Sequence, residues 1–384
     1  MKSSEIIKFI RNIYKDFYPD DIPLHEPLFL GNEKNYINEC IDSTFVSSVG
    51  EFVNKFENVI EKFTDTKKAV LTTNGTSALH AALFYLGVKN NDFVITQSLT
   101  FVAPCNAISY LGAEPIFVDV EKKSLGMCPK SLKSFLDRNA KFNNDNECIH
   151  EKTGRKISCI VPVHIYGHAC KIDEIIAVAK QWNIKVIEDS SECLGSFYKG
   201  KHLGSYGDLG VLSFNGNKIL TTGGGGAIIT NSENDGKKLK HITTTSKKSH
   251  KYKFIHEEIG FNYRLPNINS ALGFAQMESI DIRIKEKRNL AKKYKKFFQN
   301  SNYSFVDEPA HSKSNFWLNT ILTENIKERD NLLEFGLNNN VSLRPTWECM
   351  HTLSMFSECI HSDLSNTKYL QDRIVNLPST PIIK

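Results

Sequence analysis

The clearest candidate for chemistry in this chain is a lysine that follows an apolar, β-branched segment. Lys218 closes residues 213–218 (SFNGNK), and four glycines follow at 223–226. A lysine amine can form a Schiff base with an aldehyde when it is held, partly desolvated, beside that aldehyde. Ser213 could hydrogen-bond an anionic group nearby, and the glycines would let backbone approach a flat ligand. Alone, the segment is also consistent with an ordinary glycine-rich turn after a strand.

A carboxylate stands at the end of another apolar run. Residues 185–189 (KVIED) end in Asp189, and ligands of parallel α/β sheets bind at the carboxyl ends of strands. A buried carboxylate needs a cationic partner, and a protonated pyridine nitrogen would be one. This Asp–pyridinium pair is the arrangement that pyridoxal phosphate enzymes use. The alternative is that Asp189 caps the next helix.

A third segment could bind a phosphate. Residues 69–73 predict a short strand, and Asn74, Gly75, Thr76 and Ser77 lead from it into an alanine-rich helix. A helix start offers free N–H groups and the positive end of the helix dipole. The segment could equally be a plain Ser/Thr helix cap, and it lacks the P-loop and dinucleotide fingerprints. The three segments together predict a pocket for pyridoxal phosphate.

Nearly the whole chain resembles the DegT/DnrJ-type nucleotide-sugar aminotransferases, which are fold-type I pyridoxal phosphate enzymes. The motifs that carry the resemblance are 27–33 (PLFLGNE), 46–50 (VSSVG), 74–79 (NGTSAL), 98–101 (SLTF), 161–164 (VPVH), 188–189 (ED), 213–226, 260–266 (GFNYRLP) and 376–379 (NLPS). Residues 213–226, 344–347 (RPTW) and 350–351 (MH) are most similar to one branch. That branch aminates C4 of 4-keto-6-deoxy-2-acetamido nucleotide sugars in routes to legionaminic acid and similar, bacillosamine-type bacterial surface sugars.

The resemblance implies roles for individual residues. Lys218 would bind the cofactor aldehyde and then shuttle a proton, and Asp189 would pair with the ring nitrogen. Further cofactor contacts are expected from Gly75, Thr76 and Ser213 at the phosphate, Phe101 on the ring face, Glu192 at the ring 3-oxygen, and Asn262 reaching the phosphate from a second subunit. Sugar contacts are expected from His164, Trp347 and His351.

These implied roles have simpler alternatives. Phe101 could be core packing, and each histidine could be a structural hydrogen-bonding residue. The implied reaction takes the amino group from L-glutamate in a homodimer whose active site is shared between subunits. Three rival functions stay open: amination at C3, a sugar 3-dehydratase, and a non-catalytic regulator that binds the cofactor. The dehydratase has a histidine in place of the lysine, so Lys218 disfavours it.

Composition limits the possible partners. The chain has 384 residues, a formal net charge of +5 and dispersed lysines, so no nucleic-acid footprint is predicted. No apolar stretch approaches the ~20 residues of a membrane span, and no metal site is predicted. The nine cysteines are scattered without C-x-x-C spacing, which favours reduced thiols and a cytoplasmic protein.

The pattern of elements predicts an α/β fold. Strands are predicted at 68–71, 93–97, 115–119, 159–163, 185–188, 211–214 and 227–230, with helices between several of them. This alternation favours a mostly parallel seven-stranded sheet in a large domain, 1–265. Residues 266–384 would form a long-helix segment and a smaller α+β domain, with helices at 267–276 and 281–300 and one strand at 315–322. The polar residues 140–157 are predicted to be a surface loop.

Overall fold

A seven-stranded sheet forms the centre of the fold. The computed structural model describes residues 1–383. The strands of the sheet are β1 (Lys68–Thr72), β2 (Phe93–Gln97), β3 (Glu114–Val118), β4 (Ile157–Val161), β5 (Lys185–Asp189), β6 (Leu209–Ser213) and β7 (Gly226–Thr230). Their order is β1-β7-β6-β5-β4-β2-β3. Only β7 runs antiparallel to its neighbours, so the predicted mostly parallel sheet of seven strands is confirmed.

Helices cover both faces of this sheet. Strands β2, β4 and β7 are buried along their whole length, as expected for a sheet with two covered faces. The helices are α1 (Ser3–Tyr14), α2 (Glu33–Asp42), α3 (Glu51–Thr64), α4 (Gly75–Tyr85), α5 (Ala103–Ser109), α6 (Pro129–Asn139), α7 (Ile172–Gln181), α8 (Glu233–Thr243), α9 (Asn267–Met277), α10 (Ile280–Phe298), α11 (Ile326–Asn338) and α12 (Ser365–Gln371). Within residues 1–383, none of them combines the length and apolarity that a membrane span requires.

A second, antiparallel sheet lies in the C-terminal part of the chain. Its strands are β8 (Ser304–Phe305), β9 (Asn319–Leu322), β10 (Arg344–Pro345) and β11 (Ile374–Leu377), in the order β8-β9-β11-β10. Helix α1 buries its apolar face in the same cluster as the side chains of β9 and β11. The Tyr14 hydroxyl also donates to the Thr380 carbonyl oxygen at 2.9 Å. The N-terminal helix is therefore part of the C-terminal layer, and a division at residue 265 stays a prediction.

Two predicted segments differ from the structure. Residues 140–157 are not one loop: Ala140–Phe142 pairs with Cys148–His150 in a short hairpin, and β4 already begins at Ile157. A strand of three residues is too short for the alternation of apolar and polar residues to be recognised in the sequence. The predicted strand 315–322 begins only at Asn319, because Phe316 adopts a positive φ of 48° that ends extended structure before it.

Candidate active site

The carboxyl ends of the central strands surround a cavity of about 340 Å³. Its wall combines residues that follow β1, β2, β4, β5 and β6 with two tryptophans from the C-terminal part of the chain. The lining residues are Asn74, Gly75, Thr76, Leu79, Thr100, Phe101, Ala103, Pro104, Val163, His164, Asp189, Ser191, Glu192, Ser213, Asn215, Asn217, Lys218, Trp317 and Trp347. The structure thus brings together nine of the eleven residues that the sequence singled out, the other two being Asn262 and His351.

Lys218 places its amine inside this cavity. Its Nζ donates to Glu192 Oε1 at 3.1 Å, and both side chains are largely buried. The same nitrogen lies 3.9 Å from the centre of the Trp317 ring. The amine is therefore held between a carboxylate and an aromatic face, at a position where a small aldehyde in the cavity would meet it.

Asp189 ends β5 and is only 4% exposed. Its Oδ1 accepts the N–H of Ser191 at 3.1 Å. Burial raises the pKa of Asp189, and this effect outweighs the favourable influence of Ser191 and Lys218. A carboxylate that is desolvated in this way would be stabilised by a cationic group bound in the cavity.

Glu192 connects the lysine to the backbone of a strained turn. Its Oε2 accepts the N–H of Tyr166 at 2.7 Å, while Oε1 accepts from Lys218. Tyr166 has a positive φ of 55°, which is uncommon for a residue other than glycine and asparagine. Burial raises the pKa of Glu192, and Lys218 partly offsets this. The turn fixes the carboxylate that holds the lysine.

The start of helix α4 forms an anion cradle. The Asn74 side chain caps this helix by accepting the Ser77 N–H at 2.7 Å. Gly75 and Thr76 are helix-start residues, whose N–H groups have no partner within the helix. A Cβ on Gly75 would lie 3.1 Å from Ser213 Cβ and 3.3 Å from Ser191 Oγ. The glycine therefore brings the helix start close to the two serines, and together they could bind a phosphate.

The glycine run at 223–226 has a different role from the predicted one. None of these glycines lines the cavity; they approach the protein's own chain instead. A Cβ on Gly226 would lie 2.6 Å from the Asn74 carbonyl carbon, and one on Gly225 would lie 2.2 Å from Thr222 Oγ1. Gly223 has a positive φ of 81°. The run holds the start of α4 against the sheet, so it supports the cradle indirectly.

His164 lines the cavity, but protein groups occupy both of its ring nitrogens. Its Nδ1 accepts the Cys170 N–H at 3.1 Å, so its Nε2 carries the proton and donates to Glu188 Oε2 at 3.0 Å. Glu188 is fully buried and also accepts N–H bonds from Gly204, Tyr206 and Gly207. Both ring nitrogens of His164 are therefore used in hydrogen bonds within the protein. Neither is free for the predicted contact with the sugar.

Two predicted site residues lie outside the cavity. Asn262 is exposed, and its Oδ1 accepts from Arg264 Nε and Nη2, each at 3.0 Å. His351 is half-buried, and its Nδ1 and the hydroxyl of Ser98 form a hydrogen bond of 2.7 Å. Asn262 was expected to act on a second subunit, so its place outside this chain's cavity leaves that expectation open.

Sequence reasoning missed two residues that shape the cavity. Trp317 was assigned to a strand, and Tyr166 was not singled out. Both residues are positioned by backbone conformations that residue propensities do not predict. Tyr166 itself has a positive φ, and so does Phe316, the residue before Trp317.

The arrangement fits pyridoxal phosphate. The amine of Lys218 suits its aldehyde, the desolvated Asp189 suits its protonated ring nitrogen, and the cradle at Gly75, Thr76 and Ser213 suits its phosphate. Phe101 is 54% exposed at the cavity mouth, where its face could stack on a flat ring. The fold and the site define a fold-type I pyridoxal phosphate enzyme.

Comparison with known proteins identifies the family. The model of the DegT/DnrJ/EryC1/StrS aminotransferase family matches residues 30–384, and the chain belongs to that family. A GDP-perosamine synthase of Escherichia coli O157:H7 is 39% identical, with 94% of this chain and 93% of that protein covered. A putative pyridoxal phosphate-dependent aminotransferase, EpsN of Bacillus subtilis (strain 168), is 35% identical, with 93% and 90% covered.

A solved structure supports the same fold. The crystal structure of a DegT DnrJ EryC1 StrS aminotransferase from Brucella abortus matches with a TM-score of 0.84 at 23% identity, covering 92% of this chain and 91% of that chain. Membership of the family makes the protein a pyridoxal phosphate-dependent aminotransferase, and the predictions of family, fold class, enzyme class and cofactor are confirmed.

Proposed function

We propose that this enzyme transfers an amino group from L-glutamate to C4 of a nucleotide-linked 4-keto-6-deoxy-2-acetamido-hexose. The product would serve a legionaminic acid-like route to bacterial surface sugars. The observation that carries the reaction type is the cavity in which the Lys218 amine, the buried Asp189 and the start of α4 meet. The sugar class rests on the resemblance of residues 213–226, 344–347 and 350–351 to one branch of the family.

The chain's own residues divide the work of proton transfer and binding. When bound, pyridoxal phosphate withdraws electrons from the carbon that bears the amino group and carries that group from donor to acceptor. Lys218 would act as acid and base in both halves of the exchange, because its amine is the proton carrier placed inside the cavity. Asp189 would hold the ring nitrogen protonated, and Gly75, Thr76 and Ser213 would bind the phosphate.

The mouth of the cavity supports binding of a sugar. Trp347 and Phe101 lie there with their ring centroids 6.3 Å apart, and such apolar faces can pack against a pyranose ring or its 6-methyl group. The nucleotide is UDP or GDP. The name of the relative from E. coli O157:H7 refers to a GDP-linked sugar, so both bases belong in the test.

A homodimer is proposed to complete the site. Within residues 1–383, Lys218 is the only lysine or arginine that lines the cavity, whereas glutamate and a nucleoside diphosphate are both anionic. The strands Lys247–Lys248 and Ile255–His256 form a lysine-rich hairpin, and Tyr252, Phe254 and Ile259 on or beside it are 77–80% exposed. Such an uncovered apolar patch favours a contact with a second copy, in which Asn262 would reach the partner's phosphate site.

A cytoplasmic location is part of the proposal. All nine cysteines are free thiols in the structure, and reduced thiols are typical of cytoplasmic proteins. The metabolites that the proposed reaction uses, glutamate and nucleotide sugars, would be supplied in the same compartment.

The test is a defined substrate panel. The holoenzyme is incubated with L-glutamate and UDP- or GDP-linked 4-keto-6-deoxy sugars, with and without the 2-acetamido group, and products are identified by mass spectrometry. A 3-keto sugar is included because amination at C3 is the nearest alternative. Exclusive turnover of a 3-keto sugar, or of sugars without the acetamido group, would overturn the proposed substrate.

The role of Lys218 has its own test. Borohydride treatment of the holoenzyme should fix the cofactor to the peptide that contains Lys218, and Lys218→Ala should lose transamination by at least about 10²-fold. The matched control is Lys313→Ala, because Lys313 is exposed and outside the cavity. Turnover of the sugar by Lys218→Ala at the parental rate would refute the mechanism. Cofactor binding without any turnover in the parent protein would support the regulator alternative instead.

A further inference from the structure

Trp317 contacts the lysine segment at two points. Its indole Nε1–H donates to the carbonyl oxygen of Asn217 at 2.7 Å, which fixes the backbone just before Lys218. Its ring face lies 3.9 Å from Lys218 Nζ, within the range of a cation–π contact. One side chain therefore holds both the backbone and the amine of the lysine segment.

The position of Trp317 is itself fixed by the loop that carries Glu192. The Asn315 amide donates to the carbonyl oxygens of Glu192 at 2.9 Å and Leu194 at 3.0 Å. Its Oδ1 accepts the Trp317 N–H at 2.8 Å. The indole and the Glu192 carboxylate, which contact Lys218 from two sides, therefore belong to one hydrogen-bonded unit.

We propose that Trp317 is a positioning residue that holds the unbonded amine of Lys218 beside Glu192. An ammonium group gains from the indole face and from the carboxylate at the same time, and the side chains of Lys218 and Glu192 are both largely buried. Lys218 has to return to one place each time it is released from the cofactor, because it transfers protons in both halves of the exchange. Trp317 defines that place.

The inference rests on the proposed role of Lys218, and it can be tested without substrate or cofactor. In the cofactor-free protein, Lys218 is labelled with an amine-acylating reagent at pH 8, and the labelled peptide is quantified by mass spectrometry against an exposed lysine. Trp317→Leu removes the ring face and the N–H, whereas Trp317→Phe keeps an aromatic face. We expect Lys218 to be labelled roughly three- to thirtyfold faster in Trp317→Leu than in the parent, with Trp317→Phe between them.

Trp347→Leu is the matched control, since Trp347 lines the same cavity but the Lys218 amine lies over the ring of Trp317. Equal acceleration in Trp317→Leu and Trp347→Leu would mean that the indole only blocks access, and it would overturn the inference. Thermal unfolding of each variant shows whether the fold is retained, and Trp317→Phe remains informative if the leucine variant does not fold.

A kinetic readout separates positioning from binding. In the holoenzyme, loss of positioning should lower kcat by roughly three- to thirtyfold with little change in KM for the sugar. A change confined to KM would place Trp317 in the substrate site and overturn the inference. Failure of the parent protein to turn over any sugar, with the labelling pattern as expected, would count against the proposed function alone.

Discussion

At the scale of residues, the cavity of this aminotransferase collects groups that are unfavourable when nothing is bound. Asp189 and Glu192 are both buried, and burial raises the pKa of each. Only Glu192 has a direct cationic partner, Lys218. In its proposed role, Asp189 would gain a cationic partner from the ring nitrogen of the bound cofactor, and it would be unfavourable in the cofactor-free protein.

Replacing Asp189 should therefore change stability and function in opposite directions. A carboxyl whose folded pKa is raised stabilises the fold at low pH and destabilises it progressively as pH rises above 3.8, its ordinary value. Asp189→Asn removes that destabilisation and keeps an oxygen for the Ser191 N–H. We expect the cofactor-free variant to melt higher than the parent at pH 7, with the difference shrinking toward pH 4.

The same variant should lose roughly 10²-fold or more in the glutamate half-reaction, as measured by the change in cofactor absorbance. Asp65→Asn is the control, because it makes the same change at an exposed residue outside the cavity. A parental rate in Asp189→Asn would show that the ring nitrogen does not need this carboxylate.

At the scale of elements, the active site is built where strands end, and this part could be predicted from sequence. Each predicted strand of the large sheet lies within two residues of the observed one. Apolar runs that end in Asp189, Ser213 or Asn74 therefore placed those residues at one edge. Trp317 could not be placed in this way, since it follows a turn with positive φ inside an apolar segment that looked like one strand.

The glycine run shows the same limit. The glycine run suggested contact with a flat ligand. A glycine in a sequence does not indicate whether a ligand or another part of the protein will lie close to it. The structure shows that Gly226 approaches the backbone of Asn74 and Gly75. The cradle therefore depends on β7, an element that contributes no side chain to it.

This dependence gives a prediction for two neighbouring glycines. A Cβ at Gly226 meets backbone atoms at 2.6–2.8 Å, so Gly226→Ala should displace the start of α4. We expect it to lower the free energy of unfolding by at least about 2 kcal/mol and to weaken cofactor binding, as measured by chemical denaturation and cofactor titration.

Gly224→Ala is the control within the same run, because its Cβ would lie 3.8 Å from the nearest atom, the Thr73 carbonyl oxygen. It should stay within about 0.5 kcal/mol of the parent. Equal effects of the two substitutions would contradict the close approach at Gly226.

At the scale of the whole molecule, buried histidines should make the fold sensitive to acid. His168 and His202 are fully buried, and burial lowers the pKa of each to about 4. A base whose folded pKa is lowered contributes stability that is complete above its ordinary pKa of 6.5 and is lost as pH falls toward 4. Protonation of either ring therefore destabilises the fold over the same pH range.

His168→Leu should remove part of this sensitivity. Neither ring nitrogen of His168 has a hydrogen-bond partner, and the ring packs edge-on against Phe316, so an apolar side chain can replace it. The lowered pKa corresponds to roughly 3 kcal/mol between pH 7 and pH 4. We expect urea unfolding of the variant to show a smaller loss of stability over that range, and a pH dependence identical to the parent's would refute the assignment.

The docking of α1 in the C-terminal layer affects the order in which the molecule can be assembled. A ribosome makes residues 3–14 long before β9 and β11, the strands against which they pack. During most of synthesis, the apolar stripe of this first helix has no surface to cover it. Strands β9 and β11 must therefore recruit a segment that was made about 300 residues before them, and the tryptophan that positions the Lys218 amine is made shortly before β9.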